Sequence, residues 1–331
     1  MASRLSRLKL DRFLLVLITI LVVGIAIPFP APLVKGITLT SKVMVTILFF
    51  LYGARLETAQ VIAGLRNLKL QALVFGSTFL VFPLLGWISY PIMQQVVGSN
   101  LAIGFFFLTL LPSTVQASVT FTSMAGGNVA AAICCATVSN TVGLVLSPFL
   151  ASKLLPVSGA TVGATGQLKV LGMLLLPFIL GQLVQPWIGD TIRKYHKVTA
   201  ITDRTTIAFI VMGAVSGATL QGLWSSIRLS QIFILLAACA VLLTIMLAFT
   251  WYVSKAAKLP YDERIVVLMC GSKKSLTTGL PIAQVLFSAQ VIASVTIPVL
   301  LFHQLQLFVC SSIAAVLGAK ARGRAEVGAQ K

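Results

Sequence analysis

Charge is scarce in this sequence, and acid is scarcer still: 10% of its 331 residues are charged and only 7 are Asp or Glu. A soluble domain carries about 25% charged residues, so a soluble globular fold is excluded. Cysteine is sparse as well. Cys134, Cys135, Cys239, Cys270 and Cys310 are odd in number, form no CxxC and lie in apolar stretches. That excludes a disulfide framework and a zinc site and leaves the five as small buried hydrophobes. With no acid inside an apolar run there is no Ser/His/acid set either, so the chain is not read as an enzyme and no cofactor is expected.

What the sequence has is hydrophobicity, 58% of residues, with a mean hydropathy of +1.00. A membrane helix takes about 20 apolar residues. Breakers divide the chain into ten such runs, near 13–30, 38–56, 70–89, 101–124, 128–151, 168–188, 205–222, 229–252, 265–288 and 292–317. Backbone groups in lipid must pair internally, and single helix-length runs do this as helices rather than as a β-barrel. The expected fold class is therefore all-α, a polytopic membrane protein of ten transmembrane helices in a lipid bilayer. The basic stretch Met1 to Arg12 before the first run looks like the opening of a signal peptide. Because more spans follow, it is read as leading into a retained first helix.

With the N-terminus in the cytoplasm, only Lys35, Lys42, Lys153, Lys169 and Arg228 fall in outside segments, and Lys273 and Lys274 fall within a span. Every other Lys and Arg lies inside, as the positive-inside rule requires, with both termini cytoplasmic. The same bias accounts for the net charge of +18 without a nucleic-acid partner. Trp87, Trp187, Trp224 and Trp251 sit near span ends, like an interfacial aromatic belt.

Ten spans divide into two sets of five, 13–151 and 168–317, flanked by short basic tails at 1–12 and 318–331. An odd number per half makes the second half enter from the opposite side, an inverted repeat of the kind secondary transporters use. The fourth and ninth spans occupy matching places, and both are interrupted. One runs through Leu111-Pro112-Ser113-Thr114-Val115-Gln116-Ala117-Ser118-Val119-Thr120, the other through Cys270-Gly271-Ser272-Lys273-Lys274-Ser275-Leu276-Thr277-Thr278-Gly279-Leu280-Pro281. Paired broken segments with polar side chains at membrane depth point to a midplane binding site. Taken singly, each is also compatible with ordinary packing between helices.

Lys273 and Lys274 are the charged residues of these segments. A lysine at the bilayer centre costs about 2.5–3.5 kcal/mol on insertion scales and marks a pathway by default; the alternative is that it snorkels to an interface. Neighbouring positions on a helix point about 100° apart, so only an unwound segment aims both at one cavity. With no membrane acid as partner, backbone carbonyls, a half-helix C-terminus or a bound anion are expected to receive the ammonium. A small organic anion is the expected substrate, with Lys273 as its fixed cation. His303 lies mid-span in Phe302-His303-Gln304-Leu305-Gln306, either as a proton carrier or in a hydrogen bond to the glutamines. Thr78, Asn128, Ser139 and Asn140 are weaker polar signals.

At these residues the chain is similar to the bile acid:sodium symporter family over nearly its full length. The resemblance rests on Leu51-Tyr52-Gly53-Ala54-Arg55-Leu56, Ser77 to Pro83, Met124 to Ala132 and Ser147-Pro148. The string Gly271-Ser272-Lys273-Lys274-Ser275-Leu276 is the signature of one branch, which includes uncharacterised bacterial inner-membrane members. The resemblance implies two inverted five-helix repeats, a panel and a core domain, crossed discontinuous helices 4 and 9, alternating access and a bacterial inner-membrane location. It places the family's sodium ligands on Ser118 and Val119, on Ala132, Ala136 and Ser139, on Met269 and Lys273, and on Thr78. Methionine thus stands for a carboxylate and lysine for an amide, so the classical sodium coupling is not expected to persist unchanged. Sodium, a proton or no coupling ion all stay open, with any sodium expected near Ser118, Ser139 and Ser272. The candidate substrate- and ion-binding residues are Thr78, Thr114, Gln116, Ser118, Thr120, Asn128, Ser139, Ser272, Lys273, Lys274, Ser275 and His303. The leading expectation is a secondary transporter of organic anions; the competing one is a non-transporting membrane regulator or sensor on the same fold. Substrate identity and oligomeric state are left open.

Overall fold

A backbone that must satisfy itself along each apolar run coils into helix, and among the described residues every regular element is helical. The computed structural model describes residues 12–56, 67–156, 164–288 and 291–329. Helices α1 (Arg12–Ala26) and α2 (Ala31–Arg55) open the chain. Helix α3 (Leu68–Val97) is continuous but contains one π turn, Ser77–Val81. Then come the half-helices α4 (Ser99–Thr109) and α5 (Val115–Met124), followed by α6 (Val129–Leu154), α7 (Ala164–Lys194), α8 (His196–Leu220) and α9 (Leu229–Ala256). A second pair of half-helices, α10 (Tyr261–Gly271) and α11 (Leu276–Leu286), precedes the long α12 (Ile292–Ala329). Seven described helices are long and apolar enough to cross a membrane by themselves: α2, α3, α6, α7, α8, α9 and α12.

Several spans run past the ends expected from hydropathy. The third, expected at 70–89, extends from Leu68 to Val97, and α12 continues to Ala329 through the stretch expected as a tail. Hydropathy falls where a helix leaves the apolar layer, yet the backbone ladder has no reason to stop there. Helix α8 likewise begins at His196, so Asp203 lies within a helix, close to Tyr52 and Arg55.

The helices pack in two groups. Helices α1, α2, α7 and α8 form one. Its central contact is a reciprocal close approach: a Cβ on Gly53 would strike the carbonyl of Phe178, and one on Gly181 would strike the carbonyl of Phe50. Only glycine lets the α2 and α7 backbones touch in this way. The broken helices sit in the other group, with α3, α6, α9 and α12 around them. The groups meet where α8 runs beside α11 and α12, and Gln284 Nε2 donates to Ser41 Oγ at 3.2 Å.

Polarity is distributed as a bilayer demands. Leu80 and Trp187 are 69% and 77% exposed, whereas Lys273 and Lys274 are 0% and 1% exposed. Large apolar side chains face outward and ammonium groups face inward, the reverse of a soluble protein.

Candidate functional site

Proline starts the first break. Pro112 has no N–H and disfavours the helical region at the residue before it; α4 ends at Thr109 and α5 starts at Val115. Four carbonyls are left without helical partners. Leu110 O accepts from Ser147 Oγ at 2.7 Å, and Pro112 O accepts from the Ser275 N–H at 2.8 Å. Thr109 O and Leu111 O both accept from Lys274 Nζ, at 2.8 and 2.6 Å. The N–H that would have closed on Thr109 in a continuous helix, that of Ser113, donates instead to Ser139 Oγ at 3.2 Å.

The third acceptor of Lys274 comes from the π turn. Phe82 N–H closes on Ser77 O, and the next residue, Pro83, has no N–H. Thr78 O therefore has neither its α nor its π donor, and Lys274 Nζ takes that place at 2.9 Å. The ammonium also lies 4.1 Å from the centroid of the Phe82 ring, within cation–π range. All three of its N–H donors have acceptors.

The second break is the unwound stretch after Gly271. Helix α10 ends there, and Ser275 caps α11 by accepting from Thr278 N–H at 3.2 Å. The carbonyls at the end of α10 are met one by one. Leu268 O accepts from Ser272 Oγ at 2.5 Å, Cys270 O from Ser113 Oγ at 2.5 Å, and Met269 O from Ser118 Oγ at 2.9 Å. Lys273 Nζ also donates to Met269 O at 2.7 Å and lies 4.8 Å from the centroid of Phe121. Each break thus satisfies the other: Ser113 and Ser118 serve the end of α10, while Lys274 and Ser275 serve the end of α4.

The two lysines do not converge on one cavity, and neither snorkels. Lys273 sits at the C-terminus of its own half-helix, and Lys274 reaches the C-terminus of α4. A helix C-terminus carries about −0.5 charge. Two such ends offset roughly half of two ammonium charges, while the N-termini of α5 and α11 at the same breaks add about +0.5 each, so a positive charge of about +2 remains.

Of the residues expected to form the site, Thr78, Ser118, Ser139, Ser272, Lys273, Lys274 and Ser275 meet at the breaks, and Thr114 is the first residue before α5. Gln116 and Thr120 lie elsewhere, on an exposed face of α5 that continues to Ser123. Asn128 is an N-cap, accepting from Ala131 N–H at 3.0 Å; it follows the left-handed Gly126 in the α5–α6 turn. His303 Nδ1 pairs with Gln306 Nε2 at 3.0 Å, and Gln306 in turn clamps the Lys274 backbone, accepting from its N–H and donating to its carbonyl, both at 2.8 Å. Ser113, Gln306, Phe82 and Asn140, which accepts from Thr278 Oγ1 at 2.6 Å, complete the arrangement.

The hydroxyls of Ser118 and Ser272 donate to carbonyls, Ser139 Oγ accepts from Ser113, and two ammonium groups stand among them. Among the described residues, no three His, Cys, Asp or Glu are grouped to hold a metal.

Long apolar helices around a buried, broken, cationic centre define a multi-pass membrane protein of the secondary-transporter kind. The chain belongs to the SBF-like CPA transporter family, whose profile matches residues 11–319. It is 38% identical over 306 residues to the Escherichia coli protein named "Putative symporter YfeH", covering 92% of each chain. Identity is also 38% to an uncharacterised protein of Pseudomonas aeruginosa over 305 residues, again 92% of each. It is 25% identical to sodium/bile acid cotransporter 7 of Rattus norvegicus over 284 residues, 85% of this chain and 83% of the other. The family is one of transporters, not enzymes.

Proposed function

We propose that this protein is a secondary transporter that moves a small organic anion by alternating access. The observation that supports this is the unbalanced charge: two buried ammonium groups at the meeting of two helix breaks, offset only by two helix C-termini. An anion completes the balance. Lys273 is the cation the substrate senses, because its ammonium has one backbone carbonyl acceptor, whereas that of Lys274 has three. Gln116 and Thr120, polar side chains exposed on α5 at membrane depth, line the aqueous approach.

In this reading α4 with α5 and α10 with α11 are the fourth and ninth of ten crossings, and they cross at their breaks. The reciprocal bonding between breaks supports two inverted five-helix repeats. Both termini lie in the cytoplasm, and the bacterial inner membrane is the location. The ammonium groups occupy the polar centre that a coupling sodium would need, so uptake does not require sodium.

The test is uptake of labelled bile acids, sulfonates and smaller carboxylates into proteoliposomes, with sodium and pH gradients imposed separately. Saturable uptake of at least one anion, unchanged when sodium is replaced, is expected. Failure of every anion to move under every gradient would overturn the transport reading, and strict sodium dependence would overturn the coupling reading.

A further inference from the structure

The surroundings of Lys274 Nζ are those of a bound ion rather than of an ordinary side chain. Three backbone carbonyl oxygens, of Thr78 in α3, Thr109 at the end of α4 and Leu111 in the first break, face one nitrogen at 2.9, 2.8 and 2.6 Å, and the Phe82 ring closes a further side at 4.1 Å. Carbonyl groups that replace a hydration shell are how proteins dehydrate monovalent cations, and an aromatic face holds ammonium ions by its quadrupole. Thr78 additionally buries a hydroxyl that has no hydrogen-bond partner.

None of these carbonyls belongs to the helix turn that bears Lys274. Each is released by a local feature of its own: the π turn with Pro83 frees Thr78, and the break at Pro112 frees the other two. The acceptors thus come from α3, the end of α4 and the first break, outside the segment that bears the lysine.

We propose that the carbonyl oxygens of Thr78, Thr109 and Leu111, with the Phe82 face, form a monovalent-cation site that Lys274 fills as a tethered ammonium, and that truncating the lysine opens the site to free cations. The oxygen distances suit ammonium, methylammonium or potassium and are wide for sodium. This inference concerns ion binding to the resting protein and stands whether or not the transport reading does.

The experiment is thermal unfolding of the purified full chain in detergent, for the wild type, Lys274→Ala and Lys273→Ala. Each is measured in chloride salts of methylammonium, ammonium, potassium, sodium and choline at equal ionic strength. Lys274→Ala should lose roughly 5–10 °C in choline. Methylammonium, ammonium and potassium should restore at least half of that, ahead of sodium, by binding the folded state. The wild type and Lys273→Ala should respond no differently to the five salts. A Lys274→Ala protein indifferent to the cation, or a wild type that responds equally, overturns the proposal.

If Lys274→Ala does not fold, nitrogen-15 NMR of lysine-labelled Lys273→Ala reads the remaining buried amine directly. A slowly exchanging charged ammonium at neutral pH is expected. A neutral amine overturns the proposal.

Discussion

The two helix breaks have the same form and different charge. Residues 110–114 contain proline and no charge, and they offer carbonyl oxygens together with the Ser113 hydroxyl, which donates to Cys270 O. Residues 272–275 contain two lysines and offer donors. Either break alone would leave buried polar groups unpaired in a medium without water, at about 1–3 kcal/mol each. Placed together, the donors of one meet the acceptors of the other. The lesson is that a discontinuous helix in a membrane is stable only as a member of a pair, and that a cation on one member substitutes for the water both would need.

Substitutions sharpen the difference between the breaks. Lys274→Met removes one donor group and orphans three carbonyls, so it should cost the most, about 3–5 kcal/mol in equilibrium unfolding in mixed micelles. Lys273→Met should cost about 1–2 kcal/mol, because Met269 O keeps the Ser118 hydroxyl. Ser113→Ala removes the side-chain donor to Cys270 O and should cost about 1 kcal/mol. Ser118→Ala should cost less than about 1 kcal/mol, since Lys273 remains on the same carbonyl. Equal costs for Lys273→Met and Lys274→Met would break the comparison, because it assigns the structural role to one lysine only.

Much of this was legible in the sequence. Apolar length gave the helices, Pro112 and Gly271-Ser272 gave the places where two of them stop, and the absence of membrane acids left backbone carbonyls, a half-helix C-terminus or a bound anion to receive the lysines; the structure shows carbonyls at helix ends. The direction in which each lysine points was not legible. It depends on which carbonyls another helix leaves unpaired, and the decisive one, Thr78 O, is exposed by a π turn that has no signature beyond Pro83. Gln306 was visible only as a neighbour of His303, yet it holds both backbone groups of Lys274. Asn128 is polar and near a span, which suits a site residue; its position after two glycines also suits a helix cap, which is what it forms. Gln116 and Thr120 stand close to the break in sequence, but helical periodicity turns them to another face than Ser118.

The central claim is that surplus positive charge at the breaks, expressed through Lys273, draws an anion into the membrane. Counterflow of a transported organic anion in proteoliposomes tests it most directly, comparing the wild type with Lys273→Arg and Lys273→Met at equal reconstitution. The account predicts that arginine retains flux and that methionine lowers it by about tenfold or more. Methionine flux equal to that of the wild type would contradict it.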